Sequence, residues 1–158
     1  MKKWVTKEEL MNELGLAGEK IIINMLSNLG CKIESSVDKY DSEKDLLVDG
    51  KKVEVKTQIP FAKKKSFTFS PWQLKKCKSV DVLYFIAIPN TNEKYDLPEN
   101  GWIYRVVPSE FEHNEWKDRW GKPRILVPIN QPSCIFPVQK LTEEQIKYLQ
   151  SYTTSSYA

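Results

Sequence analysis

The sequence predicts an α/β fold in which a mixed central sheet is flanked by helices. Three observations predict it. Leu46-Leu47-Val48-Asp49-Gly50-Lys51-Lys52-Val53-Glu54-Val55 places Asp-Gly between two alternating segments, a strong short-range signal for a β-hairpin, because a type I′ turn needs positive φ at both central positions. Val82 to Ile88 is an apolar run of seven residues closed by Pro89, which suits a strand covered on both faces. Between them, Ser70-Pro71-Trp72-Gln73 opens a helix, with Ser at the N-cap, Pro at the first helical position and Gln at N3. A helix between the third and fourth strands is a crossover, so those two strands can run parallel in the sheet.

In chain order, Thr6 and Glu9 form a capping box for a short helix over Lys7 to Leu14, broken at Gly15. A stronger helix runs from about Ala17 to Leu29 and stops at Gly30 in the C′ position. Ile22, Leu26 and Leu29 form its apolar stripe, and Glu19 falls on the same stripe. Cys31 to Ser36 reads as the first strand. The hairpin supplies the second and third, the third running on through Thr57, Gln58 and Ile59 to Pro60. Residues 61–66 form a basic loop, Phe67 and Phe69 a short strand, and Pro71 to Lys78 a helix. The strand from Val80 to Pro89 follows.

Beyond residue 89 the sequence reads as an α+β extension. Asn90 to Asn100 is polar and turn-rich, and Trp102 to Val107 is a strand ended by Pro108. Ser109 caps a helix carrying Phe111, Trp116 and Trp120, with His113 on its solvated face. Arg124 to Ile129 is another strand. Thr142-Glu143-Glu144-Gln145 is a capping box for a last helix to about Tyr152, with a frayed tail from Thr153.

A chain of 158 residues accommodates one domain with a real core, here about 16–89 plus an extension over about 90–152. Hydrophobic content of 41% against 28% charged residues excludes a disordered chain. No apolar run approaches the roughly 20 residues of a membrane span. Basic Met1-Lys2-Lys3-Trp4 lacks a following apolar stretch, so no secretory signal is expected. Cys31, Cys77 and Cys134 are odd in number and widely spaced, which offers no zinc spacing and suits reduced thiols in the cytoplasm.

The hairpin carries the chemistry. With Asp49-Gly50 as the loop, Val48 pairs with Lys51, Leu46 with Val53 and Asp45 with Glu54. Side chains alternate along a strand, so Asp45, Leu47, Lys52, Glu54 and Lys56 share one face. Opposed carboxylates repel, and a divalent cation between them removes that repulsion, since hard cations prefer carboxylate oxygens. Asp41, Glu43 and Asp49 compete with them. Asp49 is required by the turn, and Glu43 stands opposite Lys56 in this register. Glu19 either approaches the same ion or is held by the helix dipole.

Asp45, then eight residues, then Glu54-x-Lys56 resembles the PD-(D/E)XK nuclease superfamily, with Lys44 where that family's pattern has Pro. The Gly18-Glu19 pair is similar to the family's N-terminal helix motif. The order of elements over roughly 16–89 matches its restriction-endonuclease-like αβββαβ core. The resemblance implies Mg²⁺, with Mn²⁺ able to substitute, held by Asp45, Glu54, the Val55 carbonyl and Glu19. It makes Lys56 the residue that orients the attacking water and stabilises the pentacovalent phosphorus. Gln58 follows on the same face, within reach of a phosphate or that water. Gln73 is either a further contact of this kind or the capping partner of Ser70.

The implied function is Mg²⁺-dependent endonucleolytic cleavage of DNA, of the sequence-specific homing or restriction type or of the Holliday-junction-resolvase type, by a homodimer or homotetramer. A non-catalytic nucleic-acid-binding module on the same fold is the competing expectation. Lys63, Lys64, Lys65, Lys75, Lys76 and Arg124 are the expected DNA contacts, because phosphate contacts supply most nucleic-acid affinity. Trp102 and Trp116 read as core residues, and Trp120 to Arg124 as a DNA-contacting loop. Rich lysine and only three arginines suggest an AT-rich genome, that of a phage or mobile element acting in a host cytoplasm.

Overall fold

The computed structural model describes residues 7–35 and 46–153. Helix α1 (Lys7–Asn28) is continuous, where the sequence suggested two helices parted at Gly15. A helical glycine costs about 1 kcal/mol. Burying Ile21, Ile22, Met25 and Leu26 against the sheet returns roughly 1.5–3 kcal/mol for each, so packing carries the helix through Gly15. The buried stripe omits Leu29, which is exposed. Gly30, at φ 87°, ends the helix as expected, with the Cys31 N–H donating back to the Leu26 carbonyl. Thr6, the expected N-cap, lies outside the described residues.

Strands β1 (Ile33–Ser35), β2 (Leu46–Val48) and β3 (Lys51–Gln58) form an antiparallel meander. Cys31 precedes the first strand rather than joining it. The hairpin register is the expected one, Leu46 opposite Val53 and Val48 opposite Lys51. Asp49 and Gly50 have φ of 50° and 80°, as a type I′ turn requires. The Asp49 carboxylate accepts from the Lys32 N–H, so it serves the turn.

Strand β4 (Ser66–Phe69) precedes α2 (Pro71–Lys78), whose Ser70–Gln73 capping box forms in both directions. The crossover then delivers β5 (Val82–Ala87) parallel to β3, buried along its whole length. Strand β6 (Trp102–Val106) continues the sheet antiparallel to β5.

The helix expected after Ser109 is instead β7 (Asn114–Lys117), in a hairpin with β8 (Pro123–Pro128). Of the three aromatics read as one helical face, only Phe111 is buried. His113 accordingly stands on an extended segment. The turn between the strands decides the matter. Gly121 takes φ 76°, and the Asp118 carboxylate accepts from the N–H groups of Trp120 and Lys122. Strand β9 (Ile135–Lys140) was not anticipated, and it carries Pro137 in its middle. The proline is tolerated because β9 is the sheet edge, paired to β6 alone. Helix α3 (Glu143–Gln150) opens on the expected Thr142–Gln145 capping box.

The result is a mixed α/β fold in three layers. The central sheet runs β1-β2-β3-β5-β6-β9, so the segment read as an extension supplies two of its six strands. One face packs on α1 and α3 through Ile22, Val53, Ile86, Ile103 and Leu149. The other packs on α2 and a second sheet, β4-β8-β7, through Phe67, Phe69, Leu83, Phe85 and Val127. Among the described residues no helix is long and apolar enough to cross a membrane.

Candidate active site

Strand alternation divides β3 between the two cores. Val53, Val55 and Thr57 face α1. Glu54, Lys56 and Gln58 pair in register with Leu83, Phe85 and Ala87 and so face α2 and β4. Described β2 accompanies β3 only as far as Val53. Past that point α1 reaches the margin of β3, and a cavity of about 950 Å³ lies there. Its lining brings together Glu19, Glu54, Val55, Lys56, Gln58, Gln73 and Arg124, residues from four separate elements that sequence reading had proposed for one site. Asp45 lies outside the described residues.

Glu54 is the centre of the charge arrangement. It is 3% exposed, and its carboxylate lies between two ammonium groups, Lys56 Nζ at 3.4 Å and Lys76 Nζ at 3.2 Å. A buried carboxylate is costly unless paired, and here it is paired twice. Two ammonium groups thus converge on one carboxylate at the β3–α2 contact. Glu19, half-buried on α1, adds a carboxylate to the same cavity.

Lys76 corrects the expectation that it meets DNA on the surface: it points inward. Neighbouring lysines in the sequence are not neighbours on a helix. Gln73, Lys76 and Cys77 recur at three- and four-residue spacing and form the inner face of α2, while Lys75 is exposed. That spacing was the available signal. Lys63, Lys64 and Lys65 are exposed as expected.

The two glutamines are structural ties. Gln58 Nε2 donates to the Thr68 carbonyl, and its Oε1 accepts from the Thr68 N–H at 2.7 Å. The amide thereby stitches β3 to β4, in place of the free phosphate contact expected of it. Gln73 Oε1 accepts from the Ser70 N–H, which assigns it to the helix cap. Both still line the cavity.

Gly18 is a further site determinant. A Cβ there would lie 1.8 Å from Thr57 Oγ1. Only glycine lets α1 come this close to β3, and the approach sets Glu19, the next residue, at the cavity wall.

Cys77 backs onto the trio. Burial pushes its thiol up to about 12, helped by Glu54 and opposed by Lys56 and Lys76. Below pH 9 it therefore stays protonated. A thiol-specific reagent at pH 8 should label half-exposed Cys31 and spare buried Cys77 and Cys134. Fast modification of more than one thiol in the folded protein would contradict this packing.

Glu19, Glu54 and Val55 line one cavity, and carboxylate and carbonyl oxygens are donors that fit a hard divalent cation. Among the described residues no three acidic, histidine or cysteine side chains cluster as a complete metal site. Comparison with family models, with curated proteins and with solved structures finds no match to this chain.

Proposed function

We propose that this chain is a Mg²⁺-dependent endonuclease that hydrolyses phosphodiester bonds of DNA on a restriction-endonuclease-like core. The observation that carries the reading is the buried Glu54–Lys56 pair on one face of β3, at the wall of a cavity that Glu19 also lines. The succession of α1, the β1-β2-β3 meander, α2 and a β5 parallel to β3 supports the αβββαβ core. Strand β4 is an insertion that belongs to the other sheet.

Glu54, Glu19 and the Val55 carbonyl would hold the ion, with Asp45 as the remaining ligand the family pattern requires. When bound, Mg²⁺ (or Mn²⁺ in its place) supplies Lewis-acid polarisation of the phosphate and an activated water. Lys56 holds the attacking water through one ammonium proton, and its charge stabilises the pentacovalent phosphorus. Lys76 keeps Glu54 ionised and oriented. Arg124, half-buried at the cavity edge, draws the phosphate in. Cutting both strands calls for two symmetric sites, hence a homodimer or homotetramer. The leading substrate is a specific duplex sequence, with a four-way junction as the alternative.

A second reading has one observation in its favour. Glu54 is already neutralised by two lysines, as suits a non-catalytic DNA-binding module. The deciding experiment incubates the protein with Mg²⁺ and labelled substrates, a four-way junction and a linear duplex library, beside a Lys56→Ala control. Cleavage that is lost with EDTA and with Lys56→Ala is the expected result. DNA binding without cleavage, unchanged by EDTA, would establish the binding module instead.

A further inference from the structure

A second groove, of about 690 Å³, lies between the β7–β8 hairpin and the loop after β3, bordered by Phe61, Lys63, Trp116, Lys117, Asp118, Arg119 and Trp120. Trp120, at the hairpin tip, is 81% exposed. The sequence suggested Trp116 as a core residue. Instead it is 38% exposed and stacks on Phe61 with ring centroids 5.4 Å apart. Exposing two tryptophans at one place, beside half-buried Phe61, is unfavourable unless something covers them.

The tip is held by its own turn. Asp118 Oδ1 accepts from the N–H groups of Trp120 and Lys122 at 2.9 Å each, and the Gly121 N–H donates to the Asp118 carbonyl. Asp118, the one acidic residue of the groove lining, is thus engaged by the turn itself, and Arg124 also approaches it at 3.7 Å. The groove's remaining charges, Lys63, Lys117 and Arg119, are all positive. Arg119 lies over the Trp120 ring at 5.4 Å. Aromatic faces interleaved with cations match a nucleic-acid strand with exposed bases, since bases stack on aromatics while cations hold the backbone. A paired duplex hides its base faces and cannot use such a platform. The hairpin also connects this groove to the candidate active site: Trp116 pairs directly with Arg124, which lines the larger cavity.

We infer that the β7–β8 hairpin is a stacking platform for unpaired nucleotides, so that the preferred substrate carries a gap, flap or junction beside the scissile phosphate. This rests on the nucleic-acid reading above and shifts its weight from a continuous duplex towards a structured substrate.

The test measures binding by fluorescence anisotropy in EDTA, where no cleavage occurs. The probes are a labelled duplex and the same duplex with a three-nucleotide single-stranded gap. Trp120→Ala should weaken binding to the gapped probe by about tenfold, the lower range for loss of one stacked base. It should leave the intact duplex within about twofold, and Trp120→Phe should restore most of the loss. Equal losses on both probes, or none on either, would overturn the proposal. So would elution of free Trp120→Ala as a smaller species than the parent, which would make the groove a self-association surface. Trp120-dependent gap binding in a protein that never cleaves would remove the nuclease reading and keep this one. Cleavage and binding untouched by Trp120→Ala would do the reverse.

Discussion

Glu54→Gln should abolish Mg²⁺-dependent cleavage while the protein stays folded. The substitution keeps the shape of the side chain and removes the charge that would hold the ion. Losing several kcal/mol of transition-state stabilisation, about 4, lowers the rate by roughly a thousandfold. Glu54→Ala should be equally inactive but also less stable. Lys56 and Lys76 are only 16% and 12% exposed, and alanine removes the Glu54 carboxylate from both. Breaking a buried pair costs 3–5 kcal/mol, and the partial exposure of the lysines places this case near 3 kcal/mol. The glutamine amide oxygen still accepts a hydrogen bond, so its cost is about 1–2 kcal/mol. Single-turnover cleavage and urea unfolding of both variants measure the two effects separately. A fully active Glu54→Gln would remove Glu54 from the chemistry. An unchanged urea midpoint in Glu54→Ala would remove the buried trio.

Gly18→Ala should destabilise the protein and impair the site together. The added Cβ would meet Thr57 Oγ1 at 1.8 Å and Thr57 Cβ at 2.9 Å. A short β-branched side chain has little room to yield, so α1 must lift from β3. Overpacking of this kind costs about 1–3 kcal/mol, and the depth of the clash argues for the upper end. Glu19 would move with the helix, so cleavage should fall as well. Thr57→Ala is the partner variant. Thr57 Oγ1 is buried with no hydrogen-bond partner among the described residues, so its removal should cost little. Combining the two substitutions should recover at least about 1 kcal/mol relative to the sum of the single effects, the coupling expected of residues in direct contact. Strict additivity would show that α1 and β3 do not meet through this pair.

The two variants also mark how far the sequence could be read. The hairpin around Asp49-Gly50 was legible with its register, because the turn chemistry and the strand alternation are local and agree. The capping boxes of α2 and α3 and the buried strand after α2 were legible for the same reason. Glu54 and Lys56 could be placed on one face from strand geometry alone.

Local pattern failed where long-range packing decided. Gly15 looked like a break, but burial of the stripe that follows it outweighs the cost of one glycine in α1. Residues 109–120 carried helical spacing, yet pairing with β8 makes Asn114–Lys117 an extended, solvent-facing edge strand. Strand β9 was missed, and it accommodates Pro137 because an edge strand needs hydrogen bonds on one side only. Lys76 was read with its lysine neighbours, although the helix turns it inward onto Glu54.

The sequence by itself determined the α/β class, the hairpin and the residue types of the candidate site, since these follow from periodicity and turn stereochemistry. Only the tertiary structure decided that Glu54 is held between two lysines, that Gly18 seats α1 against Thr57, and that Trp120 stands exposed at the tip of the β7–β8 hairpin. Each of these depends on elements distant in the chain meeting in space, and no local spacing encodes such a meeting.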